Sequence, residues 1–296
     1  MDNDQRQFEV AIGYHRQALD VRRTIGDQNG EGISLYNLAI AFRDNGDYEH
    51  ALQYLAATLD IQRRTGNRWM EINVLNELAI TNQELGQFTI AHDQYQQAIS
   101  VSQAIGDESG EAFVLSNYGT LLRDQALLAQ AFTVLQRGLA IVQNQNVPDQ
   151  QAYFFSYLSS VVLEQGDLAQ ARHYAQTAIQ LRQDLELDQR LIVNELVIVA
   201  QTYLLQDDLN QALQYAHEAY AILQAHAGVG IETPQRAYYG CAKVFSAGGL
   251  SDLAQTAYQN AAQIVQRRAE GLDDPLLRES FLQHVPLNAL ILQHQK

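Results

Sequence analysis

Two kinds of side chain suited to holding a ligand recur at matching places in the sequence. Arg43-Asp44 is repeated as Arg123-Asp124, and Asn37 is repeated as Asn117. A guanidinium can grip a carboxylate through two parallel hydrogen bonds, and a carboxamide can both donate to and accept from a peptide backbone. Each pattern also has a structural interpretation. The arginines could pair with acidic neighbours of the same chain, and the asparagines could bond to an adjacent helix.

The sequence contains no motif for catalysis or metal binding. It has no Gly-Lys-Ser/Thr phosphate loop and no His-Glu-x-x-His, and its eight histidines are dispersed without an i, i+4 pair. Asp44-Asn45-Gly46-Asp47 resembles the start of a calcium loop, but Leu55 stands where the closing glutamate is required. The single cysteine, Cys241, excludes an internal disulfide and is predicted to be a buried structural thiol. We therefore predict no enzyme activity, no cofactor and no metal site.

The charge balance argues against nucleic acid and membrane partners. The 296-residue chain has a net charge of −15 at pH 7 and a pI near 4.8. Such an acidic surface repels phosphate backbones and anionic lipid headgroups. No apolar signal segment follows Met1 and no run of about 18 apolar residues occurs, so a cytoplasmic protein is predicted.

Small residues recur every 40 to 42 residues along the chain. One series consists of Ala11, Ala51, Ala91, Ala131, Ala171, Ala212 and Ala254. A second series follows each of these positions by seven residues: Ala18, Thr58, Ala98, Gly138, Ala178, Ala219 and Ala261. A third series precedes the first by twelve residues: Ala39, Ala79, Gly119, Ser159, Ala200 and Ala242. A glycine turn lies between the third and first series at Gly46, Gly86, Gly166 and Gly249.

This spacing predicts two amphipathic helices in each repeat, helix A followed by helix B. The small residues would allow the two helices to cross closely, and the glycine would allow the tight turn between them. A single hairpin of this kind cannot bury its apolar face. Neighbouring hairpins must therefore stack to form a continuous core.

The repeat resembles the tetratricopeptide repeat (TPR). The resemblance rests on Leu38-Ala39, Phe42, Gly46-Asp47-Tyr48, Ala51 and the small residue Thr58. The repeat is longer than the usual ~34 residues, and its linkers, such as Thr24-Ile25-Gly26-Asp27, are similar to those of a long-repeat branch. That branch includes kinesin light chains, bacterial peptide-pheromone receptors and the sensor ends of bacterial signal-transduction ATPases. Over residues 8–268, the resemblance implies an all-α, right-handed α-α superhelix of antiparallel helix pairs.

We predict an array of about 6.5 repeats at residues 1–268 and capping helices at residues 269–296. The first repeat lacks helix A. Two explanations are open: the chain is a piece of a longer polypeptide, or its first helix pairs with another molecule, including a second copy. In the cap, Asp274 is predicted to be the N-cap of a short helix that begins at Pro275, and another short helix begins at Pro286.

By resemblance to the family, ligands bind on a concave face that the A helices line. The predicted groove residues are Tyr36, Asn37, Arg43, Asn76, Asn117, Arg123, Tyr153, Asn194, Gln201, Tyr239 and Lys243. The face becomes more apolar toward the C-terminal half, with Tyr153, Val197 and Leu204. This apolar part could receive partner side chains or could simply pack one hairpin against the next.

These features predict a scaffold or sensor module that binds a protein or peptide partner in its groove, within a bacterial signalling system. The alternative is a receptor for a short signalling peptide or a small ligand. Chaperone adaptors of the family clamp a C-terminal carboxylate with a basic cluster, and this chain has Tyr36, Ile40 and Glu77 instead. That particular activity is therefore not expected.

Overall fold

Helices make up nearly all of the chain. A computed structural model describes residues 3–294, with side chains from residue 10 onward. These residues form fifteen α-helices and one short 3-10 helix, Gln189–Ile192, and contain no β-strand. The α-helices are α1 Asn3–Ile25, α2 Gln28–Asp44, α3 Tyr48–Thr65, α4 Arg68–Glu84, α5 Phe88–Ile105, α6 Glu108–Asp124, α7 Leu128–Asn144, α8 Pro148–Glu164, α9 Leu168–Asp184, α10 Val193–Leu204, α11 Leu209–His226, α12 Pro234–Ala247, α13 Ser251–Glu270, α14 Pro275–Gln283 and α15 Pro286–Gln293. In the part of the chain described, no helix has both the length and the apolar character needed to cross a membrane.

The predicted all-α fold of repeated helix pairs is confirmed. The even-numbered helices α2 to α12 are the A helices, and the odd-numbered helices α1 to α13 are the B helices. The small residues of all three series are buried in the repeats that have both helices. At the crossing of α6 and α7, a methyl group in place of the Gly119 hydrogen would overlap the Leu135 side chain. The A and B helices therefore approach more closely than larger side chains would permit.

A left-handed residue ends each helix from α1 to α12. Glycine occupies this place seven times, at Gly26, Gly46, Gly66, Gly86, Gly106, Gly166 and Gly249. Other residues adopt the same positive φ in the remaining turns: Ala126, Asn146, Glu186, Asp207 and Ala227. The turn geometry therefore persists where the glycine signal is lost, because the helices on both sides fix the chain direction.

Ala126 provides a test of the strain that this geometry imposes. The variant Ala126→Gly should raise the free energy of unfolding by roughly 1 kcal/mol, because a Cβ atom disfavours the left-handed region. Gly46 occupies the equivalent turn of an earlier repeat, and a Cβ there would meet no other atom within 4 Å. Gly46→Ala should therefore lower the free energy of unfolding by a similar amount. Urea unfolding measures both changes, and a less stable Ala126→Gly protein would contradict the explanation.

The first of two compact units comprises Met1–Asn117 together with Arg268–Val285. Its core joins α1, α2 and α3 through Ile12, Leu19, Leu35, Leu38, Phe42, Ala51 and Ile61. The C-terminal segment of the unit lies against its early helices: the backbone N–H of Asp274 donates to Glu49 Oε1 at 2.8 Å. Helix α14 also approaches the turn between α4 and α5, where Ser280 and His284 lie beside Gly86.

The second compact unit comprises Tyr118–Arg267 together with Pro286–Lys296. It contains the clearest departure from the regular repeat, because a 3-10 helix replaces the first turn of the A helix before α10. The buried guanidinium of Arg182 holds this segment by donating to the carbonyl oxygen of Leu191 and to Glu195 Oε1. After α15, the ring of His294 lies 5.1 Å from the ring of Tyr258.

The predicted starts of the two C-terminal helices are confirmed. Asp274 is the N-cap of α14, and its Oδ1 accepts from the backbone N–H of Leu276 at 2.8 Å. Pro275 and Pro286 are the first residues of α14 and α15. The assignment of residues 269–296 as a cap stays a prediction, and residues 1, 2, 295 and 296 lie outside the described residues.

Candidate functional site

The A helices α2 to α8 each carry a stripe of polar and apolar residues along the face where a groove is predicted. In α6 the stripe consists of Phe113, Asn117, Thr120 and Asp124, and in α8 it consists of Tyr153, Tyr157, Ser160 and Glu164. These residues are spaced by three or four positions, so they share one side of a helix. We call the set of these stripes the A-helix face. The equivalent residues of α2 are Ile33, Asn37, Ile40 and Asp44.

An acidic residue ends the stripe in four successive A helices, at Asp44, Glu84, Asp124 and Glu164. Each lies in the last turn of its helix. The helix dipole places partial negative charge at this end, so a carboxylate there is unfavourable unless a cation lies nearby. Each compact unit contains two of these acids, and each unit compensates for them with two arginines.

In the first unit the two compensating arginines are Arg43 and Arg268. Arg43 donates to Asp44 Oδ1 at 3.1 Å and also contacts Glu77 on α4. Burial lowers the pKa of Arg43, but the carboxylates of Glu77, Glu84 and Asp44 together raise it above its usual value. The same balance between burial and nearby acidic groups, Tyr48 first and then Glu84, raises the pKa of Arg268. Both guanidinium groups therefore remain charged within their own unit.

In the second unit the compensating arginines are Arg123 and Arg236. Arg123 donates to Asp124 Oδ1 at 2.8 Å and lies 3.9 Å from Glu164. Arg236, in the first turn of α12, reaches the same Asp124 at 3.4 Å. Burial and the neighbouring Arg123 lower the pKa of Arg236 to about 10, so it is still charged at neutral pH. This contact joins α6 to α12, which are separated in the chain by the A helices α8 and α10.

Three further polar side chains join this face around residue 232. The hydroxyl of Tyr157 donates to Glu232 Oε1 at 3.0 Å. The side-chain amide of Asn194 donates to the backbone carbonyl of Glu232 at 2.6 Å. Desolvation by the surrounding protein raises the pKa of both Tyr157 and Glu232. Part of the surface of Glu232 is nevertheless exposed to solvent. We call the set Arg123, Asp124, Tyr157, Glu164, Asn194, Glu232 and Arg236 the polar cluster of the second unit.

A fully buried ion pair lies beside the ring of Tyr153, one of the predicted groove residues. The side chains of Arg182 and Glu195 are 3% and 1% exposed and lie 2.5 Å apart, and the Arg182 guanidinium lies 5.0 Å from the centre of the Tyr153 ring. A buried pair gives stability only while both partners are present, because removal of one leaves an uncompensated charge. This pair therefore fixes both the 3-10 segment and the position of Tyr153.

The buried pair generates a stability prediction. The variant Glu195→Gln should lower the free energy of unfolding by about 3–5 kcal/mol, because the Arg182 charge loses its counterion. The double variant Arg182→Met/Glu195→Met should recover most of this loss. As a control, Asp188→Asn at the exposed Arg190–Asp188 pair of the same segment should change stability little. If the single and double variants unfold at the same urea concentration, the pair does not have this role.

Several predicted groove residues are engaged within the protein. Arg43 and Arg123 hold the acidic residues described above, which matches the structural interpretation of both arginines. Asn117 Nδ2 donates to Asn76 Oδ1 at 3.1 Å, so this asparagine also bonds to a neighbouring helix. Asn76 is fully buried, and Tyr239 is 7% exposed and lies against the rings of Tyr258 and His294.

The other predicted groove residues keep solvent contact. Tyr36, Asn37, Tyr153, Asn194 and Gln201 are half-buried, and Lys243 is exposed. Burial and the nearby Glu77 carboxylate raise the pKa of Tyr36, so its hydroxyl stays protonated. The binding role of all eleven residues stays a prediction.

Sequence reasoning missed the residues that complete this face. The recurrence of acids at Asp44, Glu84, Asp124 and Glu164 is visible in the sequence and could have indicated them. Glu232 lies in a linker outside the repeat register, so it carries no periodic signal. Trp69 and Phe113 are the other omissions, and they are 61% and 45% exposed. Phe113 begins the stripe of α6, and Trp69 lies one turn before Asn73, the α4 residue equivalent to Phe113.

Cys241 agrees with its predicted role as a structural thiol. It is fully buried, and its Sγ lies 3.7 Å from the carbonyl oxygen of Ala216. Burial raises the pKa of the Cys241 thiol to about 12, so the nucleophilic thiolate is scarce at neutral pH. Within residues 3–294 no group of three or more His, Cys, Asp or Glu side chains is arranged to hold a metal ion.

Several solved structures share this fold at low sequence identity. BtubC (BKLC) from P. vanneervenii has a TM-score of 0.64 and 18% identity, over 76% of this chain and 94% of that protein. A Signal Transduction ATPase with Numerous Domains (STAND) protein with a TPR sensor, from Pyrococcus horikoshii, has a TM-score of 0.63 and 14% identity, over 97% of this chain and 42% of that protein. The Rap conjugation gene regulator of plasmid pLS20, in complex with the Phr* peptide, has a TM-score of 0.63 and 11% identity, over 91% of this chain and 77% of that protein.

Sequence profiles identify the repeats directly. No curated protein sequence matches the chain. The tetratricopeptide repeat profile matches residues 2–64, and the profile of the MalT-like TPR region matches residues 68–227, more than half of the chain. The chain therefore belongs to the MalT-like tetratricopeptide family.

Proposed function

We propose that this protein binds an extended peptide segment of a partner protein along its A-helix face. The observation that carries the proposal is a set of exposed apolar side chains on the stripes of the first unit. Ile33, Trp69 and Phe113 are 41%, 61% and 45% exposed. Large exposed aromatic and aliphatic side chains beside polar groups are typical of surfaces that receive partner side chains.

An amide group on the same stripes suits a peptide backbone. Asn37 is half-buried and lies one turn after Ile33, whereas the equivalent Asn117 already donates to Asn76. A carboxamide offers both a donor and an acceptor, which match the two hydrogen-bonding groups of a peptide unit. The fold similarity to the Rap regulator in complex with the Phr* peptide supports this kind of ligand.

The setting that we propose is a cytoplasmic, bacterial signalling system, in which the array acts as a scaffold or sensor. The similarity to the STAND protein with a TPR sensor supports a sensor role. A receptor for a short signalling peptide or small ligand is the alternative. Both functions would use the A-helix face, so they differ in the size of the ligand and not in the site.

Removal of the exposed aromatic side chains should abolish most of the binding. We expect Trp69→Ser/Phe113→Ser to weaken partner or peptide binding at least ~10-fold, because buried aromatic anchors dominate such interfaces. The fold should be unchanged, since neither residue belongs to the buried core. Ile90→Ser is the matched control, because Ile90 is 48% exposed on the B helix α5. Equal loss of binding in the control, or no loss in the double variant, would contradict the placement of the site.

A pulldown from the source cell and a thermal-shift screen of short peptides separate the two forms of the function. A peptide present at 100 times its dissociation constant stabilises the folded state by ~2.7 kcal/mol, which raises the melting temperature by several degrees. Such a shift supports the receptor. Capture of a protein that binds through a longer extended segment, with no shift from the short peptides, supports the scaffold.

Helix α1 carries a second exposed apolar stripe, and we propose it as a surface for self-association. Val10, Tyr14, Val21 and Ile25 are 57%, 68%, 60% and 69% exposed and share one side of the helix. Two copies of such a stripe could bury one another in a symmetric pair.

Sedimentation of the purified protein tests self-association. We expect Tyr14→Glu/Val21→Glu to convert the pair to monomers, because charges would enter the shared apolar surface. Ile105→Glu, at a residue 44% exposed on α5, should leave the pair intact. If the unmodified protein sediments as a monomer at about 50 μM, a range in which an interface of ordinary affinity is occupied, this proposal is wrong.

A further inference from the structure

The polar cluster of the second unit carries an uncompensated negative charge. Its acids are Asp124, Glu164 and Glu232, and its cations are Arg123 and Arg236. Both arginines lie beside Asp124, and Arg123 also faces Glu164. Among the described residues, no cationic side chain lies within ion-pair distance of Glu232. Its side chain accepts from the Tyr157 hydroxyl alone.

An acceptor atom without a partner lies near the same carboxylate. Asn194 Oδ1 is shielded from solvent and receives no hydrogen bond from the described protein atoms. The orientation of this amide is fixed: the carbonyl of Glu232 can only accept, so Nδ2 must point toward it and Oδ1 is left over. A shielded acceptor without a donor costs free energy, and a bound donor would remove that cost.

A donor without a partner lies four residues after Glu232, on Arg236. Arg236 Nε is also shielded from solvent and donates to no described protein atom. The cluster thus has two acceptors, the Glu232 carboxylate and Asn194 Oδ1, for a ligand group with several N–H donors. It also has one donor, Arg236 Nε, for a nearby ligand oxygen. A basic group beside a peptide carbonyl has this combination of donors and acceptor.

We infer that the second unit binds a basic group of the peptide ligand, an ammonium or guanidinium, between the Glu232 carboxylate and Asn194 Oδ1. This inference rests on the proposed function. The basic group donates to both acceptors, and an adjacent backbone carbonyl accepts from Arg236 Nε. The rings of Tyr153 and Tyr157, 6.5 Å apart, provide an apolar surface for the stem of a lysine or arginine. Desolvation raises the pKa of Glu232, and the more distant Arg182 and Arg123 lower it only in part.

Affinity capture from a defined peptide pool tests the inference. The full chain is immobilised and exposed to a synthetic pool of eight-residue peptides, and the captured peptides are sequenced by mass spectrometry. One portion of the pool keeps free N-termini, a second is N-acetylated, and a third is N-acetylated and contains no lysine or arginine. The first two portions distinguish an N-terminal ammonium from a basic side chain as the source of the charge.

We expect peptides with a basic group to be enriched ~10-fold over the third portion, as a hydrogen-bonded charge contributes at least that much. Glu232→Gln should remove the enrichment and keep the Tyr157 hydrogen bond, because the glutamine oxygen can still accept. The melting temperature should not fall, since an unpaired charge is removed. Glu218→Gln, at an exposed residue of α11, should retain the full enrichment.

The outcomes separate the two proposals. Capture of peptides without any preference for basic groups would overturn the inference and leave the peptide-binding function standing. Enrichment that persists in Glu232→Gln would also overturn the inference. No capture from any portion would overturn the peptide-binding function and the inference with it. Enrichment that is lost in Glu232→Gln and retained in Glu218→Gln supports both.

Discussion

The close crossing of helices A and B at small residues is the constraint on which the rest of the structure depends. Ala39, Ala79 and Gly119 allow the two helices of a hairpin to touch, and the Gly119 backbone lies directly against Leu135. A helix in such close contact cannot rotate about its axis without steric overlap. The crossing therefore decides which side of each A helix remains for a ligand.

The acids at the ends of the A helices impose a second, electrostatic constraint. A carboxylate in the last turn opposes the helix dipole, so each such acid requires a cation. Arg43 and Arg123 come from the A helices themselves, and the remaining cations, Arg236 and Arg268, come from the linker side of α12 and the end of α13. Each unit thus places two arginines near the two acids at the ends of its A helices. Glu232 differs from Asp44, Asp124 and Glu164, because no described cationic side chain lies within ion-pair distance of it.

The periodic part of the structure could be predicted from the sequence. The spacing of the small residues gives the helix pairs, and the prolines give the starts of α14 and α15. Both depend on local geometry that a residue type enforces. The turn at Ala126 contains no glycine, so only its position in the 40-residue repeat predicts it.

The detailed site was less predictable, because it depends on contacts between distant residues. The sequence left open whether Arg43 and Arg123 pair with a partner or with the chain, and only the structure shows their ion pairs with Glu77 and Glu164. The burial of Asn76 and Tyr239 depends on neighbouring helices whose positions the repeat pattern does not specify. Glu232 lies in a linker, where neither periodicity nor propensity applies.

The hydrogen bond between Asp274 and Glu49 has a consequence for how the protein is made. The two residues are 225 positions apart, whereas an ideal repeat array contacts only its nearest neighbours. A ribosome adding about 5–20 residues per second needs roughly 10–45 s to travel that distance. For that time the nascent early helices lack the segment that lies against them in the finished chain. A chain that ends before Asp274 would therefore leave an edge of its first unit uncovered, and that edge is where chaperones would be needed during synthesis.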